Sequence, residues 1–133
     1  LMKVSFILVG VTFLGLSVSL PLLELRKHVS EHCACYFNSA LANYYRSEND
    51  SVAWHADDEP ELVLNPIIAS LSFGHERQFM LKHKNKNIKK NIILPHGSLL
   101  IMRGPTQHHW LHQIAKSKKP MDARINITFR QIQ

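Results

Sequence analysis

RINITFR, residues 124–130, alternates polar and apolar side chains through its whole length. Successive side chains of a strand point to opposite faces, so Arg124, Asn126, Thr128 and Arg130 share one face while Ile125, Ile127 and Phe129 share the other. A solvated polar face over a buried apolar one would be the ordinary explanation. The alternative is a polar face turned inward, which is costly unless an anion pairs with its two guanidiniums, because buried unpaired charge is strongly unfavourable. A forked guanidinium matches a carboxylate through two parallel hydrogen bonds. The spacing commits the segment to strand and leaves both orientations open.

Outward from this segment the same texture continues. YFNSALANYY (36–45), NPIIASLSFG (65–74), RQFMLKH (77–83) and NIILPHGSLLIM (91–102) are short runs rich in apolar and β-branched residues, separated by Pro, Gly, Asn and Asp. Such spacing predicts a mainly β sandwich or barrel rather than alternating βαβ units. Only LLELRKHVSEH (22–32) departs from it: Leu22, Leu25 and Val29 recur at helical spacing between charges, which predicts one amphipathic helix.

A chain of 133 residues has room for one core. Sixteen Lys and Arg against ten Asp and Glu leave a formal charge of +6, which favours polyanionic partners, nucleic acid first and an anionic membrane second. Cys33 and Cys35 are too close in sequence for an unstrained disulfide and match no zinc pattern, so both read as reduced thiols. Residues 4–23 carry no charge after Lys3. That segment, set apart as 1–23 from a domain at 24–133, reads as a secretory signal or membrane anchor, as buried strand, or as an artefact of the gene model. KHKNKNIKKN (82–91) reads as a solvated hairpin tip, with Lys82, Lys84, Lys86, Lys89 and Lys90 as candidate contacts to a phosphate backbone.

WHADDEP (54–60) raises the question of a metal. On a strand His55 and Asp57 would point to the same side and could offer a nitrogen and an oxygen to one ion; an acidic turn closed by Pro60 is the plainer explanation. A third ligand would have to come from QHHWLH, which holds His108, His109 and His112. Two imidazoles and one carboxylate are the donor set of non-haem Fe(II) oxygenases, with zinc as the competing metal. Trp54 is expected to pack on the opposite side of the strand, and Trp110 to wall the site or fill core.

Taken together, FNSALANYYRSENDSVAWHADDEP (37–60), PIIASLSFG (66–74), HGSLLIM (96–102), HHWLH (108–112) and RINITFR resemble the AlkB-type Fe(II)- and 2-oxoglutarate-dependent dioxygenases, most nearly the animal AlkB homologue 3 branch. The resemblance implies a double-stranded β-helix, or jelly-roll, behind a short N-terminal helix. It implies that His55, Asp57 and His112 hold Fe(II), that Asn43, Tyr45, Arg124, Asn126 and Arg130 hold 2-oxoglutarate, and that O2 is the second co-substrate. Glu59, with Asp58 beside it, would read the damaged base. The implied reaction is oxidative demethylation of 1-methyladenine and 3-methylcytosine in single-stranded DNA or RNA, releasing formaldehyde, succinate and CO2, in the nucleus or cytoplasm; the sequence leaves the oligomeric state open, with a monomer the expectation. Residues 4–23 leave secretion or membrane association open. Family members carry a nucleotide-recognition lid ahead of the jelly-roll, where this sequence has only the helix and the apolar segment. Two alternatives therefore stand: a hydroxylase of another substrate on the same core, or a truncated, non-catalytic nucleic-acid-binding module.

Overall fold

The computed structural model of the chain describes residues 3–8, 11–15 and 20–133. In chain order the elements are β1 (Lys3–Leu8), β2 (Val11–Gly15), α1 (Leu20–Cys33), β3 (Ser39–Tyr45), β4 (Val52–His55), β5 (Ile68–Gly74), β6 (Arg77–His83), β7 (Lys89–Leu94), β8 (Leu99–Met102), α2 (Thr106–His109), β9 (Trp110–Ile114) and β10 (Arg124–Arg130). The strands form a larger sheet in the order β2-β1-β3-β10-β5-β8 and a smaller one in the order β4-β9-β6-β7. All pairings are antiparallel except β1 with β3. This is the jelly-roll arrangement, mainly β with one substantial helix.

The alternation in β3, β10, β5 and β8 of the larger sheet divides their side chains between two sides of the sheet. Outward from the sheet, Ala40, Ala69 and Phe129 pack with Phe37 against Val29 and Cys33 of α1, joined by Leu22, Leu25, Leu71 and Ile127. The helix thus buries the stripe its spacing predicted, and extends two residues earlier and one later than 22–32. Full burial of a side chain such as Phe129 contributes about 1.5–3 kcal/mol. Between the sheets, Tyr45 and Ile68 meet Phe79, Leu94, Met102 and Ile114. The polar members of β10 and β5 point into this same interior.

Three local features set the shape around that interior. NIILPHGSLLIM is two strands, broken at Pro95–Ser98, where Gly97 at φ +79° donates its N–H to the Ser72 carbonyl at 2.7 Å. Gly74 ends β5 at φ +97°, and a Cβ there would collide with the Ala123 carbonyl oxygen, so the SFG sequence closes against β10 only with glycine. In β4 the pairing Val52↔Ile114 and His55↔His112 spends three steps on one strand against two on the other, which is a β-bulge.

Cys33 and Cys35 are free thiols. In the apolar N-terminal segment the backbone of residues 3–8 and 11–15 forms the β1–β2 hairpin, and α1 begins at Leu20. The remainder of the segment read as signal, anchor or buried strand, residues 1, 2, 9, 10 and 16–19, lies outside the described residues. No described helix is long and apolar enough to cross a membrane.

Candidate metal and carboxylate site

The RINITFR strand settles its orientation by burial. Arg124, Asn126 and Thr128 are buried inside the barrel, while Ile127 and Phe129 lie under α1 and Ile125 is exposed. The polar face is therefore the inner one. Asn126 Nδ2 donates to Ser70 Oγ at 2.6 Å and to the Leu71 carbonyl at 2.9 Å, and Thr128 Oγ1 donates to Asn126 Oδ1 at 3.0 Å. Arg124, 2% exposed, donates from Nη2 to Ser72 Oγ at 2.8 Å and stacks over the Tyr45 ring at 5.0 Å. Its Nε and Nη1 have no partner among the described residues. Leaving a buried donor unpaired costs about 1–3 kcal/mol, more for a charged group. An anion with two oxygens is what this guanidinium lacks.

Across the cavity, His55, Asp57 and His112 bring one donor atom each within 4.8 Å of one another. The bulge explains how. Val52 and His55 would face opposite sides of a regular strand, and the extra residue turns both inward, where both line the cavity. Nδ1 of His55 sits 2.7 Å from the carbonyl of Ala53, inside the bulge, which makes Nδ1 the protonated nitrogen and leaves Nε2 as the lone-pair donor. That Nε2 lies 3.9 Å from Asp57 Oδ1. His112 pairs with His55 across β4–β9, meets it edge-on with centroids 4.2 Å apart, and stacks on Phe79 at 5.0 Å. Burial, helped by the charges of His55 and Arg130, pushes the His112 imidazole down to about 3, so it is neutral and free to ligate. Two imidazoles and a carboxylate on one side of a cavity suit a divalent first-row metal and leave its other coordination positions toward the cavity.

Asp57 stands beyond the end of β4 and is held by a residue that sequence reasoning missed. Its backbone N–H donates to Oε1 of buried Gln107 at 2.9 Å, and Gln107 Nε2 reaches Met102 Sδ at 3.4 Å. The other carboxylate oxygen, Oδ2, accepts from Arg130 Nη2 at 3.0 Å, and Arg130 Nη1 lies 3.8 Å from Glu59. Arg130 therefore ties the carboxylate to the rim in addition to facing the cavity. Burial pushes the Tyr45 phenol up, against the opposing Arg124 charge, and keeps it a neutral donor. Arg77, also missed, is buried, lies over the Tyr45 ring at 5.4 Å as well, and donates to the carbonyls of Ser47, Asp50 and Ala115.

Nine of the residues singled out from the sequence line one cavity of about 370 Å³: His55, Asp57 and His112 on one side, Asn43, Tyr45, Arg124, Asn126 and Arg130 on the other, and Glu59 at the edge. Asp58 does not; it lines an adjoining groove with Lys84, its partner at 3.9 Å. Lys82 lies over Trp54 at 4.5 Å and Lys90 over Trp110 at 5.8 Å, while Lys86 and Lys89 are exposed. Trp54 points away from the cavity as expected, but packs under Lys82 and not beneath another layer. Trp110 contacts His83 and stays out of the cavity lining. His108 and His109 belong to α2.

Comparison with known proteins agrees with this geometry. The model of the 2OG-Fe(II) oxygenase superfamily matches residues 17–130. Alpha-ketoglutarate-dependent dioxygenase alkB homolog 3 of Bos taurus is 46% identical over 120 residues, 84% of this chain and 42% of that protein. DNA oxidative demethylase ALKBH2 of Homo sapiens is 41% identical over 91% of this chain and 51% of its own length. The chain thus spans about half, or less, of the length of these relatives. Among solved structures, OsALKBH1 superposes with a TM-score of 0.56 at 24% identity, over 69% of this chain and 47% of that one, and shares the fold. The chain belongs to the 2OG-Fe(II) oxygenase superfamily.

Proposed function

We propose that this chain is the oxygenase core of an oxidative demethylase acting on 1-methyladenine and 3-methylcytosine in single-stranded DNA or RNA, a repair activity of the nucleus or cytoplasm. One observation carries the reading: a single cavity presents a two-histidine, one-carboxylate cluster and, facing it, a buried arginine with two unpaired donors. Fe(II), 2-oxoglutarate and O2 are the cofactor set of the family, and the donor types fit both the metal and a dicarboxylate. Bound there, they supply the oxidation of an N-methyl group to N-hydroxymethyl, with 2-oxoglutarate becoming succinate and CO2; the hydroxymethyl group then leaves as formaldehyde.

The chain's own residues do the positioning. His55, Asp57 and His112 would hold the metal, with His55 oriented by the bulge carbonyl, His112 by the Phe79 ring and Asp57 by Gln107. Arg124 would pair with one carboxylate of 2-oxoglutarate while Tyr45 donates its phenol proton. Asn126, held by Ser70 and Thr128, fixes the polar wall beside it, and Asn43 and Arg130 complete that wall. Glu59, 51% exposed at the edge, would accept the exocyclic N–H of the target base. Methylation at a ring nitrogen leaves such a base cationic, so a carboxylate at the mouth also favours it by charge. The five lysines of residues 82–91 would meet the strand's phosphates.

The test is turnover of a 3-methylcytosine oligonucleotide by the purified chain with Fe(II), ascorbate and 2-oxoglutarate. Formaldehyde and succinate should appear in equal amounts, and His55→Ala or Asp57→Ala should abolish both. Succinate whose formation ignores the oligonucleotide would point to a hydroxylase of another substrate. Metal and 2-oxoglutarate bound without any succinate would identify a non-catalytic module.

A further inference from the structure

Beside the cavity, where the β6–β7 hairpin meets α2, four aromatic rings touch in succession. His108 meets His109 edge-on with centroids 4.8 Å apart, His109 lies parallel to His83 at 5.8 Å and 11°, and His83 meets Trp110 edge-on at 5.1 Å. None of the four belongs to either apolar core cluster, and His108 and His109 are exposed. His83 is locked in place: its Nδ1 accepts the backbone N–H groups of Asn85 at 3.1 Å and Lys86 at 3.0 Å. That acceptance requires a neutral ring, and partial burial with the nearby charges of Lys86 and His109 holds its pKa below the usual histidine value. The ladder therefore offers flat ring faces framed by cations: Lys90 over Trp110, exposed Lys86 beside His83, and Lys84, whose ammonium group donates to the Gln107 carbonyl at 3.2 Å.

Its position is informative. His108 and Lys84 line a groove that also takes in Asp57, Asp58 and Glu59, and Asp57 and Glu59 belong to the main cavity as well. One end of the ladder, His108, thus adjoins the cavity through Asp57 and Glu59. Charge alone would attract any polyanion, but rings with lysines around them recognise a strand whose bases are unpaired, because only unpaired bases present a free face for stacking.

We propose that the His108–His109–His83–Trp110 ladder, with Lys84, Lys86 and Lys90 around it, seats the unpaired nucleotides neighbouring the target base: rings stack the bases and ammonium groups meet the phosphates. The proposal rests on the nucleic-acid reading of the cavity and assigns the part of the strand that does not react.

The discriminating probe is an abasic strand, which keeps the phosphates and lacks the bases. With the chain loaded with Mn(II) and 2-oxoglutarate, an ordinary single-stranded oligonucleotide should bind about tenfold more tightly than an abasic one of equal length. In the Trp54→Phe background, Trp110 emission should be quenched by the former and not by the latter. His109→Ser, at an exposed position, and His83→Ala with His109→Ala should each shrink the preference toward unity while Mn(II) affinity and Tm are retained. Equal affinity of the unaltered chain for both strands, or a preference that survives these substitutions, overturns the ladder. An unaltered chain that binds neither strand overturns the nucleic-acid reading itself, and the ladder with it.

Discussion

Arg124 is a buried guanidinium with two donors left unpaired, which is costly unless an anion meets them. Replacing it with Lys keeps the charge and loses the fork, so Arg124→Lys should weaken 2-oxoglutarate binding about 10- to 100-fold, measured by calorimetry on the Mn(II)-loaded chain, with metal affinity unchanged. Asp50 gives a pH prediction. Arg46 donates to it from its side chain at 2.9 Å and its backbone N–H at 2.8 Å, and these bonds hold the Asp50 carboxyl down to about 2. A depressed carboxyl contributes stability that is complete above the unfolded value near 4 and is lost as pH falls through about 2. Urea midpoints should fall between pH 4 and pH 2, and Asp50→Asn should flatten that fall. His55 and Asp57 were candidates in the sequence only as a weak same-side pair, and the family resemblance chose His112 among the late histidines; the fold brings the three together. Gln107 and Arg77 were not candidates, because each is defined by partners about 30 to 50 residues away. A lone Gln or Arg carries no local sign of what it will hold.

At the scale of elements, the bulge in β4 decides which side chains enter the cavity. Deleting Ala53 would restore a regular strand and send either Val52 or His55 to the outer face. Mn(II) binding should be lost while the far-UV spectrum and cooperative unfolding persist. Gly74 is the second such point: Gly74→Ala combines a positive φ with a collision against Ala123, and should destabilise by about 1–3 kcal/mol or more, read as a lowered Tm. Strand and helix identity came through in the sequence because periodicity is local; RINITFR, RQFMLKH and LLELRKHVSEH each became the element their spacing predicted. The bulge did not come through, since it exists only in the pairing of β4 with β9. The same limit applied to the orientation of RINITFR, where alternation names two faces and only the second sheet says which is inside.

For the molecule as a whole, the barrel is arranged with its polar residues facing the cavity and much of its larger sheet's apolar surface turned outward, under α1. Ligands that fill such an interior should stabilise all of it. Mn(II) with 2-oxoglutarate at 100 times its Kd should add about 2.7 kcal/mol, visible as a raised Tm, and Asp57→Ala should remove that increment. Fold class was legible because many short strands with turn residues between them admit few architectures, whereas the order of strands was not, since β10 is flanked by β3 and β5 from far earlier in the chain. That placement bears on how the protein is made. The strand completing the larger sheet leaves the ribosome after both of its neighbours, so a gap with two open edges persists until β10 itself has been made. Translation that stalls before Arg124 would leave a nascent chain with a split sheet and half a cavity, a species for chaperones to shield or proteases to clear.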